Sequence, residues 1–248
     1  MVALLASSIA FGNVKTIRAK IGDLLGRLGR SPAKAADHPA HLRQTLRGWK
    51  HRVFVGEDIA CLLVGARRVQ REQGSLGAYF ASQLGHGRDH ESLRRALAAL
   101  RDAIRTSGGL ARDGRRRGPA HLLPDPRGAS GCKRLLLFLR WMVRPSDGID
   151  LGAWSVDPSL LLIPVDVHIH KLAKNLGLTL RSGPSWATSE DITRALARFD
   201  PADPTKYDFS LCHMGMVQRC PSRRDDRRCA GCGVKPVCMH WKAAVRSK

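Results

Sequence analysis

The chain has 248 residues and a mass of 27.2 kDa, enough for one large domain or two small ones. Its 42 lysines and arginines outnumber its 21 aspartates and glutamates, so the formal net charge is +21. Hydrophobic residues make up 43% of the chain, a share that excludes a disordered charged tail. No apolar run reaches the roughly 18 residues that a membrane-spanning helix needs, which excludes an integral membrane protein.

A positive excess of this size is typical of proteins that bind a polyanion. DNA and RNA are the commonest polyanions, since each neutralised phosphate releases counterions. An arginine-rich composition set by codon bias gives the same excess, and both interpretations stay open. The apolar stretch Met1–Ala10 precedes the first basic residues, whereas a secretion signal begins with them. We therefore expect a cytoplasmic protein without membrane attachment.

Apolar residues recur at helical spacing along most of the chain. The predicted helices cover residues 2–11, 14–28, 57–72, 75–84, 90–107, 133–143, 167–176, 188–198 and 205–217. A glycine- and arginine-rich connection runs over residues 108–131. Strand signals are nearly absent, because the apolar segment Leu160–Val165 is isolated. We predict an all-α fold, arranged as two lobes with a groove between them.

Four of the seven cysteines lie within nineteen residues, with the spacing Cys220-x8-Cys229-x2-Cys232-x5-Cys238. In a reducing compartment this crowding indicates a metal centre rather than disulfides. Four thiolates suit a 4Fe-4S cluster or a tetrahedral zinc ion. We predict the cluster, because zinc ribbons usually pair two Cys-x-x-Cys hooks and this segment has one. Zinc and four unrelated free cysteines are the alternatives.

The first loop of this cysteine segment also carries Arg223, Arg224, Arg227 and Arg228. Guanidinium groups on a loop held by a metal centre would bind backbone phosphates well. A solvated surface loop, with these arginines partly paired to Asp225 and Asp226, is an equal interpretation.

Two polar residues lie where predicted helices begin. Lys133 follows Gly131-Cys132 and starts the apolar helix 133–143; taken alone, it is a solvated first-turn residue. Asp166 comes directly before the predicted helix 167–176, where an aspartate is normally an N-cap. Neither residue by itself predicts chemistry.

Together they resemble the catalytic residues of a known superfamily. The segment Ile163–His170, Ile-Pro-Val-Asp-Val-His-Ile-His, resembles the catalytic aspartate segment of the helix-hairpin-helix DNA glycosylases, closest to its form in 8-oxoguanine glycosylases. The cysteine segment resembles the iron–sulfur loop of endonuclease III. Lys133, in Gly-Cys-Lys-Arg-Leu, matches the Schiff-base lysine of the bifunctional members. Further similarity to a bacterial branch of the superfamily covers Val2–Ile17, Cys132–Arg144, Ile163–Leu178 and Asp200–Phe209.

Three features differ from these relatives. The segment Leu123–Gly131 stands in place of the compact Leu-Pro-Gly-Val-Gly hairpin. An insertion rich in Asp and Gly, Ser146–Asp157, lengthens the interval between Lys133 and Asp166. The first cysteine loop has eight residues where endonuclease III has six.

The resemblance implies a two-lobed glycosylase-like region over residues 1–219, and a cluster loop with the tail over 220–248. It implies a monomeric DNA-repair enzyme that excises a damaged base, with an oxidised purine such as 8-oxoguanine as the leading candidate. Lys133 would attack C1′ and form a Schiff base, and Asp166 would stabilise the sugar cation or help to deprotonate the amine. A monofunctional glycosylase and a non-catalytic iron–sulfur nucleic-acid binder are the alternatives.

The candidate DNA-binding residues come from two sources. The cysteine loop contributes Arg223, Arg224, Arg227 and Arg228, and the resemblance adds Asn13 and Gly131. The turn Ile9–Asn13 matches the region that probes the minor groove, so Ile9, Phe11 and Asn13 are wedge candidates. Core packing is the alternative for Ile9 and Phe11. The cluster, held by Cys220, Cys229, Cys232 and Cys238, would be structural and would orient the DNA.

Overall fold

The computed structural model describes residues 1–110, 116–216 and 220–242. It is 61% helix and 2% strand, so the predicted all-α class is confirmed. Within those ranges each helix falls short, in length or in apolar character, of what a bilayer span requires. Residue 217, the predicted end of the last helix, and residue 219, the predicted domain boundary, lie outside the described residues.

The chain divides into two compact units. The first comprises Met1–Gly128 and Leu137–Val156, and the second comprises Ala129–Leu136 and Asp157–Lys248. The cysteine segment therefore belongs to the second unit, together with Lys133 and Asp166.

The first unit is built from short and medium helices. In chain order they are α1 (Val2–Ser8), α2 (Val14–Leu28), α3 (Pro32–Ala35), α4 (Pro39–Thr45), α5 (Gly56–Glu72), α6 (Leu76–Leu84), α7 (His90–Gly108) and α8 (Arg117–Leu122). Between α4 and α5, strands β1 (Lys50–His51) and β2 (Phe54–Val55) pair antiparallel, with Lys50 opposite Val55. Helix α2 has its predicted bounds, while α1 ends three residues before the predicted end. The sequence did not predict α4, α8 or the hairpin.

The core of the first unit forms where α5 packs against α7. The middle of α5 is buried on nearly all sides, which is typical of a central helix. Gly65 and Gly108 allow the two backbones to touch, because a Cβ atom on Gly65 would lie 2.0 Å from the carbonyl oxygen of Ile104. Side chains at these two positions would therefore separate the helices.

Helix α9 (Lys133–Val143) has its predicted bounds and is shared between the units. Its first four residues belong to the second unit and the remainder to the first. The insertion after α9 covers the end of this helix. The backbone N–H of Leu151 donates to the carbonyl of Trp141 at 2.7 Å, and that of Trp154 donates to Met142 at 2.8 Å. The insertion thus satisfies carbonyls that a helix end leaves without intrahelical partners.

A buried ion pair also joins the insertion to α9. Asp150 is buried, and its Oδ1 accepts from Nε of the equally buried Arg140 at 3.1 Å, while Oδ2 contacts Arg144. The ring of Trp154 stacks on Phe80 with ring centres 5.5 Å apart. The insertion is therefore an integral part of the first unit.

The second unit has its own apolar core. Its further helices are α10 (Val167–Asn175), α11 (Trp186–Ala197), α12 (Asp208–Met216), α13 (Asp226–Cys229) and α14 (Met239–Lys242), with 3-10 turns at Pro158–Leu160, Pro204–Tyr207 and Lys235–Val237. The predicted helix 205–217 is thus a 3-10 turn followed by α12. The core side chains come mainly from α10, α11 and the segment before α10.

That segment, Leu160–Val165, is buried although it forms neither helix nor strand beyond its first residue. The backbone N–H of Ile163 donates to the hydroxyl of Thr193 at 3.0 Å, so a side chain replaces the missing strand partner. The apolar side chains anchor the segment in the core, and the chain emerges at Asp166.

We expect Asp150→Ala to lower the free energy of unfolding by about 3–5 kcal/mol, because it breaks the buried ion pair between Asp150 and Arg140. Urea denaturation measures the loss. The matched control is Asp23→Ala, which breaks the exposed pair with Arg27 and should cost less than about 1 kcal/mol. Equal losses for the two variants would contradict a stabilising role for the insertion.

Candidate active site

Lys133 and Asp166 lie at the N-terminal ends of α9 and α10 and are in direct contact. Lys133 Nζ lies 2.9 Å from Asp166 Oδ2, although the two residues are 33 positions apart in the chain. The Lys133 side chain is 39% exposed and that of Asp166 is 17% exposed. The amine is therefore accessible to a large substrate, while the carboxylate beneath it is sheltered.

Asp166 is the N-cap of α10, as its position in the sequence predicts. Its Oδ1 accepts from the backbone N–H groups of His168 and Ile169, both at 2.9 Å. Burial on its own would raise the pKa of Asp166, but the Ile169 N–H, the Lys133 ammonium and the His168 N–H outweigh it. The pKa of the carboxyl is consequently held below its usual value, and the group is ionised at neutral pH.

The chain just before Lys133 is tightly constrained. Cys132 is buried and has a φ of 47°, in the left-handed region that non-glycine residues seldom adopt. Its carbonyl accepts from the N–H groups of Leu135 and Leu136, which starts α9. A Cβ atom on Gly131 would lie 3.3 Å from the backbone of Ser185, so this glycine is closely packed. Together these contacts fix the position from which Lys133 extends.

Arg134 places a second cation at the start of α9. Burial lowers the pKa of its guanidinium to about 10, so the group keeps its charge at neutral pH. Lys133 and Arg134 are thus two consecutive basic residues in the first turn of α9.

All four cysteines of the cysteine segment line one cavity of about 240 Å³. Cys229 is buried and the other three are half-buried, and none of the four forms a disulfide. In the arrangement described for residues 1–110, 116–216 and 220–242, no three His, Cys, Asp or Glu side chains are grouped as closely as metal ligands. The donor chemistry and the shared cavity fit a thiolate-ligated centre, and the metal itself stays a prediction.

Asn175, the last residue of α10, connects this cavity to the helix that Asp166 caps. Its Nδ2 donates to Sγ of Cys220 at 3.3 Å, and its Oδ1 lies 3.0 Å from Nε2 of His240. The sequence did not single out Asn175, because an asparagine near a helix end is an ordinary terminator. Its contacts with the cysteine segment depend on tertiary packing.

The four arginines of the cysteine segment are exposed. Arg223 and Arg228 line the cysteine cavity, and the guanidinium of Arg224 lies 4.5 Å from the centre of the Trp241 ring. Nε of Arg228 lies 3.9 Å from Oδ2 of Asp225, a loose and exposed pair. This arrangement is compatible with phosphate contact and with simple solvation.

A second cavity, of about 290 Å³, lies between α10 and the cysteine segment. His168, Lys171, Ser222 and Arg228 supply its polar lining, and no carboxylate lines it among the residues that the structure describes. Ser222 has a φ of 54°, a strained conformation that is often found at functional sites. The sequence did not predict this cavity, because its lining comes from segments fifty residues apart.

The three wedge candidates occupy different environments in the first unit. Ile9 is fully buried, in agreement with the core-packing alternative. Phe11 is 37% exposed, and the guanidinium carbon of Arg52 lies 4.9 Å from its ring centre. Asn13 is the N-cap of α2, where its Oδ1 accepts from the N–H of Lys15 at 2.9 Å. Arg52 has no sequence pattern that connects it to this turn.

A model of a family described as "Protein of unknown function (DUF2400)" matches residues 1–217. The match includes Lys133 and Asp166 and ends before the first cysteine of the cysteine segment. No curated protein and no solved structure matches the chain.

Substitution of Asp166 should separate its capping role from its charge. Asp166→Ala is expected to lower the free energy of unfolding by about 1–2 kcal/mol, whereas Asp166→Asn keeps a cap of similar quality and loses less. Urea titrations of the three proteins at pH 7 measure both effects. A larger loss for Asn than for Ala would contradict the cap.

The charge effect has a defined pH dependence. Because the folded-state pKa of Asp166 lies below the unfolded value of about 3.9, its charge stabilises the fold fully above that value. The stabilisation disappears as the pH falls through the folded-state pKa. The stability difference between wild type and Asp166→Asn should therefore shrink below pH 4.

Proposed function

The chain belongs to the DUF2400 family, and we propose that it is a DNA-repair glycosylase with AP-lyase activity on a helix-hairpin-helix glycosylase-like scaffold. The observation that carries the proposal is the 2.9 Å contact between Lys133 Nζ and Asp166 Oδ2. The resemblance concerns the sequence around each residue, and the contact between them is a separate observation in space. An accessible amine beside a sheltered carboxylate has the composition that Schiff-base chemistry at a sugar carbon requires.

The first step is a proton transfer within the pair. Lys133 donates to the ionised Asp166 in the resting pair, and the amine has to lose a proton before it can attack. Oδ2 of Asp166 is the acceptor within hydrogen-bond distance. The N–H groups of His168 and Ile169 hold Oδ1, so the carboxylate keeps its orientation during the transfer.

The neutral amine then attacks C1′ of a nucleotide that has left the base stack. A bond forms between Nζ and C1′, the N-glycosidic bond breaks, and its electron pair leaves with the base, which takes up a proton. Opening of the sugar ring gives a protonated Schiff base. Loss of a proton from C2′ and departure of the 3′ phosphate nick the strand, and water hydrolyses the imine to release Lys133.

The surroundings of the pair support DNA as the partner. His168 and Lys171 follow Asp166 on α10 and line the 290 Å³ cavity with Arg228. Cationic side chains near a reacting nucleotide hold the backbone phosphates and position the strand. The exposed arginines of the cysteine segment extend this basic surface. The leading substrate is an oxidised purine such as 8-oxoguanine, on the resemblance of Pro164–His168.

We further propose that the four cysteines hold a 4Fe-4S cluster, with a zinc ion as the alternative metal centre. When bound, the cluster would cross-link the cysteine segment through four metal–thiolate bonds. Base excision and strand nicking involve no net oxidation, so the cluster has no redox task in them. Asn175 holds Cys220 by its side-chain amide, and this contact orients the first ligand. We expect a monomer in the cytoplasm, where the thiols stay reduced.

Borohydride trapping tests the proposed nucleophile. Reduction of the Schiff base links the protein covalently to DNA that carries an abasic site, and we expect an adduct with the wild type and none with Lys133→Ala. Lys174→Ala, which removes an exposed lysine elsewhere on α10, is the matched control and should keep the adduct. Asp166→Asn should slow base release by about 10²–10⁴-fold, the usual contribution of a general base.

Each of the other outcomes of these experiments supports a different function. An adduct that survives Lys133→Ala would exclude this lysine as the nucleophile. Base release without any wild-type adduct would identify a monofunctional glycosylase. DNA binding without base release across a panel of lesions would identify a non-catalytic binder.

The metal content tests the cluster. Protein purified without oxygen should be brown and contain about four irons per chain. Cys229→Ser should lose most of this iron, whereas Cys61→Ala, which removes a buried thiol of α5 in the first unit, should retain it. A colourless preparation that contains zinc would replace the cluster with the zinc alternative.

A further inference from the structure

Five basic side chains line one concavity in the first unit, formed by α2, α3, α4 and the turns between them. This basic concavity has a volume of about 450 Å³. Its basic residues are Arg27, Arg30, Lys34, His38 and His41, and all five are exposed. Ser31 and Thr45 add hydroxyl groups, and the buried Leu28 and Leu42 form its floor.

Among the residues that the structure describes, none that lines the basic concavity is acidic. Two carboxylates lie nearby, one paired with a residue of the concavity and one paired outside it. Asp23 pairs with Arg27 at 2.8 Å, and Asp37 lies 2.7 Å from Nε of Arg67 and 3.4 Å from Arg71. Lys34 and Arg30 therefore present their charges to whatever enters.

One cation of the basic concavity is already held in place. Besides its pair with Asp23, Arg27 donates from Nη1 to the carbonyl oxygens of Thr45 and Arg47, at 3.3 and 3.5 Å. Side chains fixed in this way lose less conformational entropy when a ligand binds.

The exposure of the basic residues decides which anion fits. A site selective for a small anion surrounds it with buried donors, whereas none of the five basic side chains here is buried. Exposed basic side chains around an apolar floor suit a large polyanion that lies across them. Lysine and arginine at such positions contact phosphates and fix the register of the protein on a nucleic acid, independently of its sequence.

We propose that the basic concavity binds the phosphodiester backbone of DNA, as a contact region additional to that of the second unit. The inference rests on the proposed function, which supplies DNA as the partner.

The salt dependence of DNA binding tests the inference. The probe is a short unmodified DNA duplex, with its affinity measured by fluorescence anisotropy over a range of NaCl concentrations. Arg30→Gln/Lys34→Gln should reduce the slope of log affinity against log salt by about 1.8, since each phosphate contact contributes about 0.9. The matched control, Arg88→Gln/Arg198→Gln, removes the same charge from exposed positions and should keep the wild-type slope.

The outcomes separate this inference from the proposed function. Equal slopes for the two double variants would overturn the inference, while wild-type trapping on abasic DNA would still support the glycosylase. A wild type that binds no duplex would overturn both. If polyglutamate displaced the duplex from the wild type but not from Arg30→Gln/Lys34→Gln, the concavity would bind an acidic protein instead, and the inference would be overturned. Binding of inorganic phosphate to the wild type alone, with equal DNA slopes, would show a small-anion site.

Discussion

The two carboxylate oxygens of Asp166 make different contacts, one with the backbone of α10 and one with Lys133. Oδ1 accepts two backbone N–H groups at the start of α10, and Oδ2 accepts the ammonium of Lys133. Both interactions favour the ionised form, so the group that helps to start the helix is also kept charged for the amine. Because the buried segment Leu160–Val165 anchors the chain before it, the carboxylate has little freedom to move. The position of the candidate site thus follows from the core of the second unit.

Much of the fold could be predicted from periodicity and capping. The bounds of α2 and α9 agree with the prediction, because Asn13 caps the apolar stripe of α2 and α9 is a continuous apolar run. Short elements such as α8 and the β hairpin have too few residues to show a period. The apolar run Leu160–Val165 could not be assigned, since burial alone does not distinguish a strand from a buried coil segment. Only the hydroxyl of Thr193, thirty residues away, explains its conformation.

The residues of the candidate site were predicted from a resemblance and not from periodicity. Lys133 and Asp166 are each ordinary in isolation, and only the resemblance of their flanking segments selected them. Their distance, the second cation at Arg134 and the cavity between α10 and the cysteine segment required the tertiary structure. The basic concavity was likewise hidden, because its five basic residues follow no motif. The role of a charged surface residue depends on its neighbours in space, whereas the sequence gives only its neighbours along the chain.

Helix α10 carries Asp166 at its beginning and Asn175 at its end, where Asn175 contacts Cys220 and His240. A helix of nine residues is a rod about 13 Å long that does not bend easily. A change in the orientation of the helix at one end therefore displaces the residue at the other end. Amino-acid changes near the carboxyl terminus that loosen the grip on Asn175 would misalign a carboxylate they never touch. Such changes would therefore act on the contact between Lys133 and Asp166 from a distance.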